Sequence, residues 1–203
     1  TISGTTGTGT EADPIVVDTY SELREALKYT SSGESALYIK MSSDITCEDY
    51  NSLINVKAAL VATGDKVLTI NGNLISGSDV DTTIILSTDA TLTVKGSGKI
   101  ESASSCIDTI REDGSICAIT IEGDITLEGN NSDGIVWKRS FSSVNIYGGT
   151  FINKASRKPF YGSVTLAGGS FPNGIDKSCD NYQLSEGCVY SYEDGTYSQK
   201  LLD

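Results

Sequence analysis

The sequence predicts an all-β fold of stacked coils, a parallel β-helix with a period of about 24 residues. The first observation is a motif of five residues: an apolar residue, Thr or Asn, a second apolar residue, any residue, and Gly. It occurs at 68–72, 92–96, 119–123, 144–148 and 164–168, so the steps between motif starts are 24, 27, 25 and 20 residues. A unit repeated at this interval is typical of a solenoid, in which no repeat buries its apolar face alone. An antiparallel sandwich has turns about every 8–12 residues and gives no reason for such a period.

The N-terminal segment, residues 1–35, is expected to close the first coil with an α-helix. Helical periodicity occurs only at 19–29, where Thr19 and Glu22 have the spacing of a capping box. Three apolar residues follow at helical spacing, Leu23, Ala26 and Leu27. Because the open end of a solenoid exposes apolar side chains and strand edges, a helix here would act as a lid.

Residues 36–171 form the predicted solenoid, with three short strands in each coil. The two apolar residues of each motif share a strand face and point inward, and the Gly suits a corner. A second apolar run follows most corners, as at 74–75, and a third precedes the motif, as at 83–86. Residues 172–203 lose the repeat and are expected to form a C-terminal cap, so the whole chain makes one structural domain.

Stacking the motifs predicts two columns on the first strand of each coil. The inward column contains Ile70, Val94, Ile121, Ile146 and Leu166. The outward rank contains Thr69, Thr93, Thr120, Asn145 and Thr165. An outward Thr rank is found in some ice-binding β-helices, so an ice-binding module is one alternative. The simpler interpretation is that β-branched residues suit the outer face of stacked strands.

Composition and charge restrict the partners. The chain has 203 residues, a net charge of −12 and a sequence pI near 4.4. Such a surface repels phosphate backbones, so we expect no nucleic-acid binding, and no apolar run is long enough to span a membrane. The five cysteines cannot all pair within one chain. Cys117 has the same strand parity as the inward residues, so we expect a buried thiol there. Cys179 and Cys188 flank a short loop, and they either form a disulfide or stay as free thiols.

Several segments resemble the right-handed parallel β-helices of the pectate-lyase-like superfamily. They are residues 10–17, 20–27, 36–40, 66–72, 148–151 and 168–171. The repeats are similar to those of secreted or surface proteins of gut-type bacteria and of structural proteins of their phages. The resemblance implies a right-handed β-helix and an extracellular, cell-surface or virion location. It is specific for the fold, because unrelated activities share that scaffold.

The resemblance also raises the possibility of an enzyme. Enzymes on this scaffold pair acidic calcium ligands with a proton-abstracting base, or cluster carboxylates on adjacent coils. The chain has no His, and its acidic pairs, Asp79 with Asp81 and Glu112 with Asp113, belong to no known calcium loop. Arg111 beside the second pair is what a turn would contain. We therefore expect no catalytic residue and no cofactor, with Ca²⁺ as the cation to test; a polysaccharide lyase or glycoside hydrolase is the alternative.

One short stretch of this acidic protein is basic and aromatic. The candidate binding residues are Trp137, Lys138, Arg139, Arg157, Lys158 and Tyr161. Counting back equal distances from the motifs places Glu112, Trp137 and Arg157 in one column, and Asp113, Lys138 and Lys158 in the next. Such columns form either a structural ladder of ion pairs and a cation–π contact, or a platform for an acidic glycan or a partner protein.

The sequence thus favours a non-catalytic structural or adhesion module on an exterior surface. The protein would be a bacterial surface or secreted protein, or a structural or decoration protein of a phage virion. Its partner would be a glycan or a protein, and the oligomeric state is left open.

Overall fold

A computed structural model describes residues 2–30, 33, 35–139 and 141–175, together with the backbone of the strands at 182–184, 188–193 and 196–201. In chain order the strands are β1 (Ile15–Val17), β2 (Leu37–Met41), β3 (Ile45–Thr46), β4 (Asn51–Leu53), β5 (Val56–Ala62), β6 (Asp65–Ile70), β7 (Asn73–Ser76), β8 (Thr82–Leu86), β9 (Thr91–Lys95), β10 (Lys99–Ser102), β11 (Ser105–Thr109), β12 (Ala118–Ile121), β13 (Thr126–Gly129), β14 (Val136–Trp137), β15 (Ser143–Ile146), β16 (Thr150–Asn153), β17 (Phe160–Tyr161), β18 (Val164–Leu166), β19 (Ser170–Phe171), β20 (Tyr182–Leu184), β21 (Cys188–Glu193) and β22 (Thr196–Leu201). One helix, α1 (Tyr20–Lys28), lies between β1 and β2.

These strands form three sheets, which confirms the parallel β-solenoid. The first sheet has the order β1, β2, β6, β9, β12, β15, β18, β20, and the second β3, β7, β10, β13, β16, β19, β22, β21. The third sheet has the order β4, β5, β8, β11, β14, β17. The described strand pairs are parallel except at the two ends of the stack, where β4 pairs with β5 and β22 pairs with β19 and β21 in antiparallel fashion. Each coil therefore visits the three sheets in turn.

The N-terminal helix is where the sequence predicts it, and it packs as a cap on the first coils. The Thr19 side chain accepts the Glu22 N–H at 3.2 Å, and the Glu22 carboxylate accepts the Thr19 N–H at 3.3 Å, so the capping box is complete. The apolar stripe of α1 is fully buried. The Tyr20 hydroxyl donates to the Ala59 carbonyl at 2.6 Å, which ties the helix to β5.

The inward column of the first sheet differs from the prediction at one position. Its registered members are Ile39, Leu68, Val94, Ile121, Ile146 and Leu166. Leu68, not Ile70, faces Val94, because the coil at this point advances 26 residues rather than the 24 that separate the motifs. At the corner Gly98 stacks on Gly72, where a Cβ would lie 2.2 Å from the Gly72 carbonyl oxygen, and Gly96 lies against Ile70, where a Cβ would lie 2.3 Å from the Ile70 carbonyl oxygen.

The same offset changes the outward rank. Thr69 lies beside Lys95, and Val67 lies beside Thr93, while Thr120 continues the rank as predicted. A two-residue offset preserves which side chains face inward, since the strand period is two. The interior therefore stays apolar although the predicted Thr rank loses Thr69.

One lysine occupies an inward position of the first sheet. Lys66 lies in register between Leu37 and Leu92 and is 1% exposed. Its ammonium group donates to the Thr63 carbonyl. Burial lowers the pKa of Lys66, because the charged form loses its hydration.

The position of Cys117 confirms the prediction that its side chain points inward. Cys117 is fully buried, and Cys47, Cys106 and Cys117 are free thiols. The proposed pair of Cys179 and Cys188 falls outside the side chains that the structure describes. Among the described residues no helix is long and apolar enough to cross a membrane.

Candidate binding groove on the third sheet

The outer face of the third sheet carries two adjoining concavities, of about 190 and 260 Å³, which we call the third-sheet groove. Arg111 and Arg139 line both concavities. The first is otherwise mainly polar and is lined by Asn55, Asp81, Ser104, Ser105, Asn131 and Trp137. The second is mainly charged and is lined by Glu112, Asp113, Lys138 and Tyr161. Four of the six predicted binding residues therefore lie in one groove.

A buried ion pair lies in the groove, where Arg139 lines both concavities and Asp108 lines the first. The guanidinium of Arg139 donates to both oxygens of Asp108, from Nε at 3.0 Å and from Nη2 at 2.9 Å. The side chains are 16% and 5% exposed. Burial raises the pKa of Asp108, although the hydrogen bonds and charge of Arg139 act in the opposite direction. Because Nε and Nη2 are both engaged, the guanidinium of Arg139 is fixed in place and its charge is neutralised locally.

Trp137 lies within a stack of side chains from three successive coils. Its ring stacks on Tyr161 with centroids 4.1 Å apart, and the Arg139 guanidinium lies 4.9 Å from its centroid. Arg139 is held by Asp108 on the preceding coil, whereas Tyr161 belongs to the following coil, so Trp137 links side chains of neighbouring coils. The indole N–H donates to the Gly134 carbonyl at 2.8 Å. Trp137 is thus half-buried, and both Tyr161 and Arg139 contact its ring.

Tyr161 presents the open aromatic surface of the groove. It is 42% exposed. Its strand, β17, is the last strand of the third sheet in the part of the chain that the structure describes. The ring is held on one side by Trp137 and lines the second concavity on its exposed side. Of the two stacked rings, Tyr161 is therefore the more exposed.

Arg111 is an uncommitted cation of the groove. Among the four arginines, Arg24 pairs with Asp49, Arg139 pairs with Asp108, and Arg157 donates to the Asn173 carbonyl at 3.1 Å. Arg111 is exposed and makes no hydrogen bond or ion pair with the described residues, although its charge is near enough to Asp108 to favour the ionised carboxylate. A free guanidinium offers a planar pair of donors that matches a carboxylate or a sulfate.

The predicted columns are wrong in this sheet. Trp137 is in register with Tyr161, and Val136 with Ile107, so Asp108 rather than Glu112 lies next to Trp137. The prediction assumed equal connections into the first sheet. Trp137 precedes its motif by seven residues, whereas Tyr161 precedes its own by three.

The structure leaves two predicted residues outside the groove, since neither Arg157 nor Lys158 lines either concavity. Lys138 does line the second concavity, where its ammonium lies 3.3 Å from the Ser163 hydroxyl oxygen.

Sequence reasoning missed Asp108 and treated Arg111 as a turn residue. Asp108 had a detectable signal, since Asp is depleted in strands and this one lies in the run Ser105–Thr109. Arg111 had no such signal, because its freedom depends on Arg139 taking the nearby carboxylate.

The acidic residues of the described chain form no evident metal centre. No group of three or more His, Cys, Asp or Glu residues among those the structure describes could hold a metal ion. Of the pairs considered for Ca²⁺, Asp81 accepts the Lys57 N–H at 2.8 Å and Glu112 accepts the Thr88 hydroxyl. These carboxylates are therefore engaged in contacts between coils.

Comparison with known proteins adds no relative: no family model, curated protein or solved structure matches the chain. The parallel β-solenoid thus rests on the geometry of the chain itself, and the resemblance to the pectate-lyase-like superfamily stays a prediction.

Proposed function

We propose that this β-solenoid is a non-catalytic binding module of an exterior surface and that it holds a glycan in the third-sheet groove. The observation that carries the proposal is Tyr161, whose exposed ring forms the end of an ordered stack. The apolar face of a sugar ring packs well on an aromatic face, and an aromatic residue fixed in advance loses little conformational entropy on binding.

The first concavity supplies the polar contacts that sugar hydroxyls need. The side-chain amides of Asn55 and Asn131 and the Ser104 hydroxyl line it beside Trp137. Asn131 donates to Ser104 at 3.2 Å, whereas Asn55 is exposed and makes no side-chain hydrogen bond with the described residues. Both donors and acceptors are present, so a hydroxyl can be satisfied in either role. A few placed polar groups around an aromatic wall are typical of small-molecule sites.

The rigidity of the stack also favours recognition. The ion pair of Arg139 with Asp108 holds the guanidinium against Trp137, and Trp137 in turn supports Tyr161. A side chain whose neighbours lock its rotamer keeps the geometry that a ligand requires.

An exterior location belongs to the same proposal, on a bacterial surface, in a secreted protein or on a phage virion, where a glycan-binding rod could serve adhesion. It draws support from the sequence resemblance to bacterial surface and phage β-helices. A protein partner that covers Tyr161 is the competing outcome of the experiment.

The test compares Tyr161→Ala with Tyr147→Ala on a glycan array and by calorimetry. Tyr147 is 58% exposed and lies outside the third-sheet groove, so it is a matched control. We expect Tyr161→Ala to abolish glycan binding while the melting temperature changes little, and Tyr147→Ala to bind as the wild type does. Glycan binding that is unaffected by Tyr161→Ala, or no binding to any glycan, would contradict the proposal.

A further inference from the structure

We infer that the second concavity of the third-sheet groove selects a zwitterionic glycan, one whose repeat carries a free ammonium group near a carboxylate. This inference rests on the proposed function and adds to it the charge pattern of the ligand. Some charged groups of the concavity already have partners within the protein and others have none, and the inference follows from this difference.

Most charges of the second concavity are engaged. Arg139 is neutralised by Asp108, and the Glu112 carboxylate accepts the Thr88 hydroxyl. Lys138 is hydrogen-bonded to the Ser163 hydroxyl. These contacts fix the walls of the site.

Two opposite charges in the same concavity remain uncommitted. Arg111 and Asp113 are both exposed, and neither makes an ion pair or a side-chain hydrogen bond with the described residues. They are two positions apart in the chain, yet they do not pair with each other. A ligand that brings one anion and one cation would give each of them a partner, and Tyr161 on the same concavity would pack against the ring that carries those groups.

The charge balance argues against a simple polyanion as the preferred ligand. Asp108 neutralises Arg139, so the remaining charges of the concavity are the cations Arg111 and Lys138 and the anions Glu112 and Asp113. The concavity therefore carries both signs and no net charge. A carboxylate bound to Arg111 would also approach two acidic side chains, which an ammonium on the ligand would offset. In addition, the protein carries a net charge of −12, which repels a polyanionic glycan during its approach. A zwitterionic glycan of zero net charge is not repelled in this way.

The probe is a hyaluronan hexasaccharide prepared in three forms on one backbone. The N-acetylated form is anionic, the N-deacetylated form is zwitterionic, and the N-deacetylated form with reduced carboxyl groups is cationic. Calorimetry measures the affinity of each. We expect the zwitterionic form to bind about three- to fivefold more tightly than the anionic form, the size of an exposed ion pair.

Two variants assign the effect to the named charges. Asp113→Asn should make the zwitterionic and anionic forms bind equally, and Arg111→Gln should weaken both without weakening the cationic form. Asp79→Asn and Arg157→Gln make the same charge changes outside the groove and should leave the order of affinities unchanged.

The outcomes separate this inference from the proposed function. If the anionic form binds as tightly as the zwitterionic form, or if Asp113→Asn affects both forms equally, the zwitterion inference is wrong and glycan binding stands. If the wild type binds none of the three forms and no glycan on the array, both are wrong.

Discussion

Replacing Ile121 tests the stacked-column architecture directly. Ile121 is completely buried and lies in register between Val94 and Ile146, so coils on both sides pack against it. Ile121→Ala removes three carbons, which corresponds to about 2 to 3 kcal/mol of lost transfer free energy. Strands hydrogen-bonded on both sides cannot collapse into the space, so a cavity cost raises the total to about 3 to 4 kcal/mol.

The assay is urea unfolding followed by circular dichroism, with Thr120→Ala as the matched control. Thr120 is the neighbouring residue on the same strand, but its side chain faces outward and is only half-buried. We expect the control to lower the free energy of unfolding by less than about 1 kcal/mol. Ile121→Asp should prevent folding, because it buries an unpaired carboxylate. Equal effects of Ile121→Ala and Thr120→Ala, or a normally folded Ile121→Asp protein, would refute the inward column.

Four further predictions concern ionisable groups and activity. Because burial lowers the pKa of Lys66, the unfolded chain binds that proton more tightly. The contribution of Lys66 to stability should therefore rise with pH from its native pKa to the unfolded value of about 10.4, and melting temperatures of Lys66→Met recorded against pH should lack this rise. Burial raises the pKa of Asp108, so the contribution of Asp108 to stability should be greatest below about pH 4 and should fall as the pH rises through its native pKa. Melting temperatures of Asp108→Asn recorded against pH should lack this fall. Glu128 is bridged by Lys99 and Lys154, which lower its pKa; Glu128→Gln should reduce stability at neutral pH by about 1 kcal/mol and lose its effect in acid, as urea titrations at both pH values would show. Polygalacturonate and alginate should stay intact with or without Ca²⁺; release of unsaturated or reducing ends that disappears in Arg111→Gln or Asp113→Asn would instead indicate an enzyme.

The sequence was sufficient for the fold because the relevant signals are local and periodic. The motif alternates side chains with a period of two, and Thr19 with Glu22 marks the start of the only helix that the structure describes. Register was harder, because the segment 96–98 offers two glycines for one corner. In the structure both glycines lie against the preceding coil, Gly96 at Ile70 and Gly98 at Gly72, and the sequence does not say which of them continues the column of Gly72.

The groove could be predicted only in part, for a different reason. Its basic and aromatic composition is visible in the sequence, and Trp137, Lys138, Arg139 and Tyr161 do come together. Which residues stack depends on loop lengths between the third and first sheets, and these vary from coil to coil. The ionic partner of Arg139 lies 31 residues earlier in the chain, so no local pattern could identify it.

Asp108, Trp137 and Tyr161 lie on consecutive coils, so the side chains of the groove repeat at the spacing between coils. Neighbouring strands of a sheet are about 4.8 Å apart, so a polymer lying along the solenoid axis would meet a new side chain at each such step. Duplication of a whole coil would lengthen the groove by one step without disturbing the interior columns, and deletion of one would shorten it. The ligand length that such a protein accommodates could therefore change in discrete units while the fold remains the same.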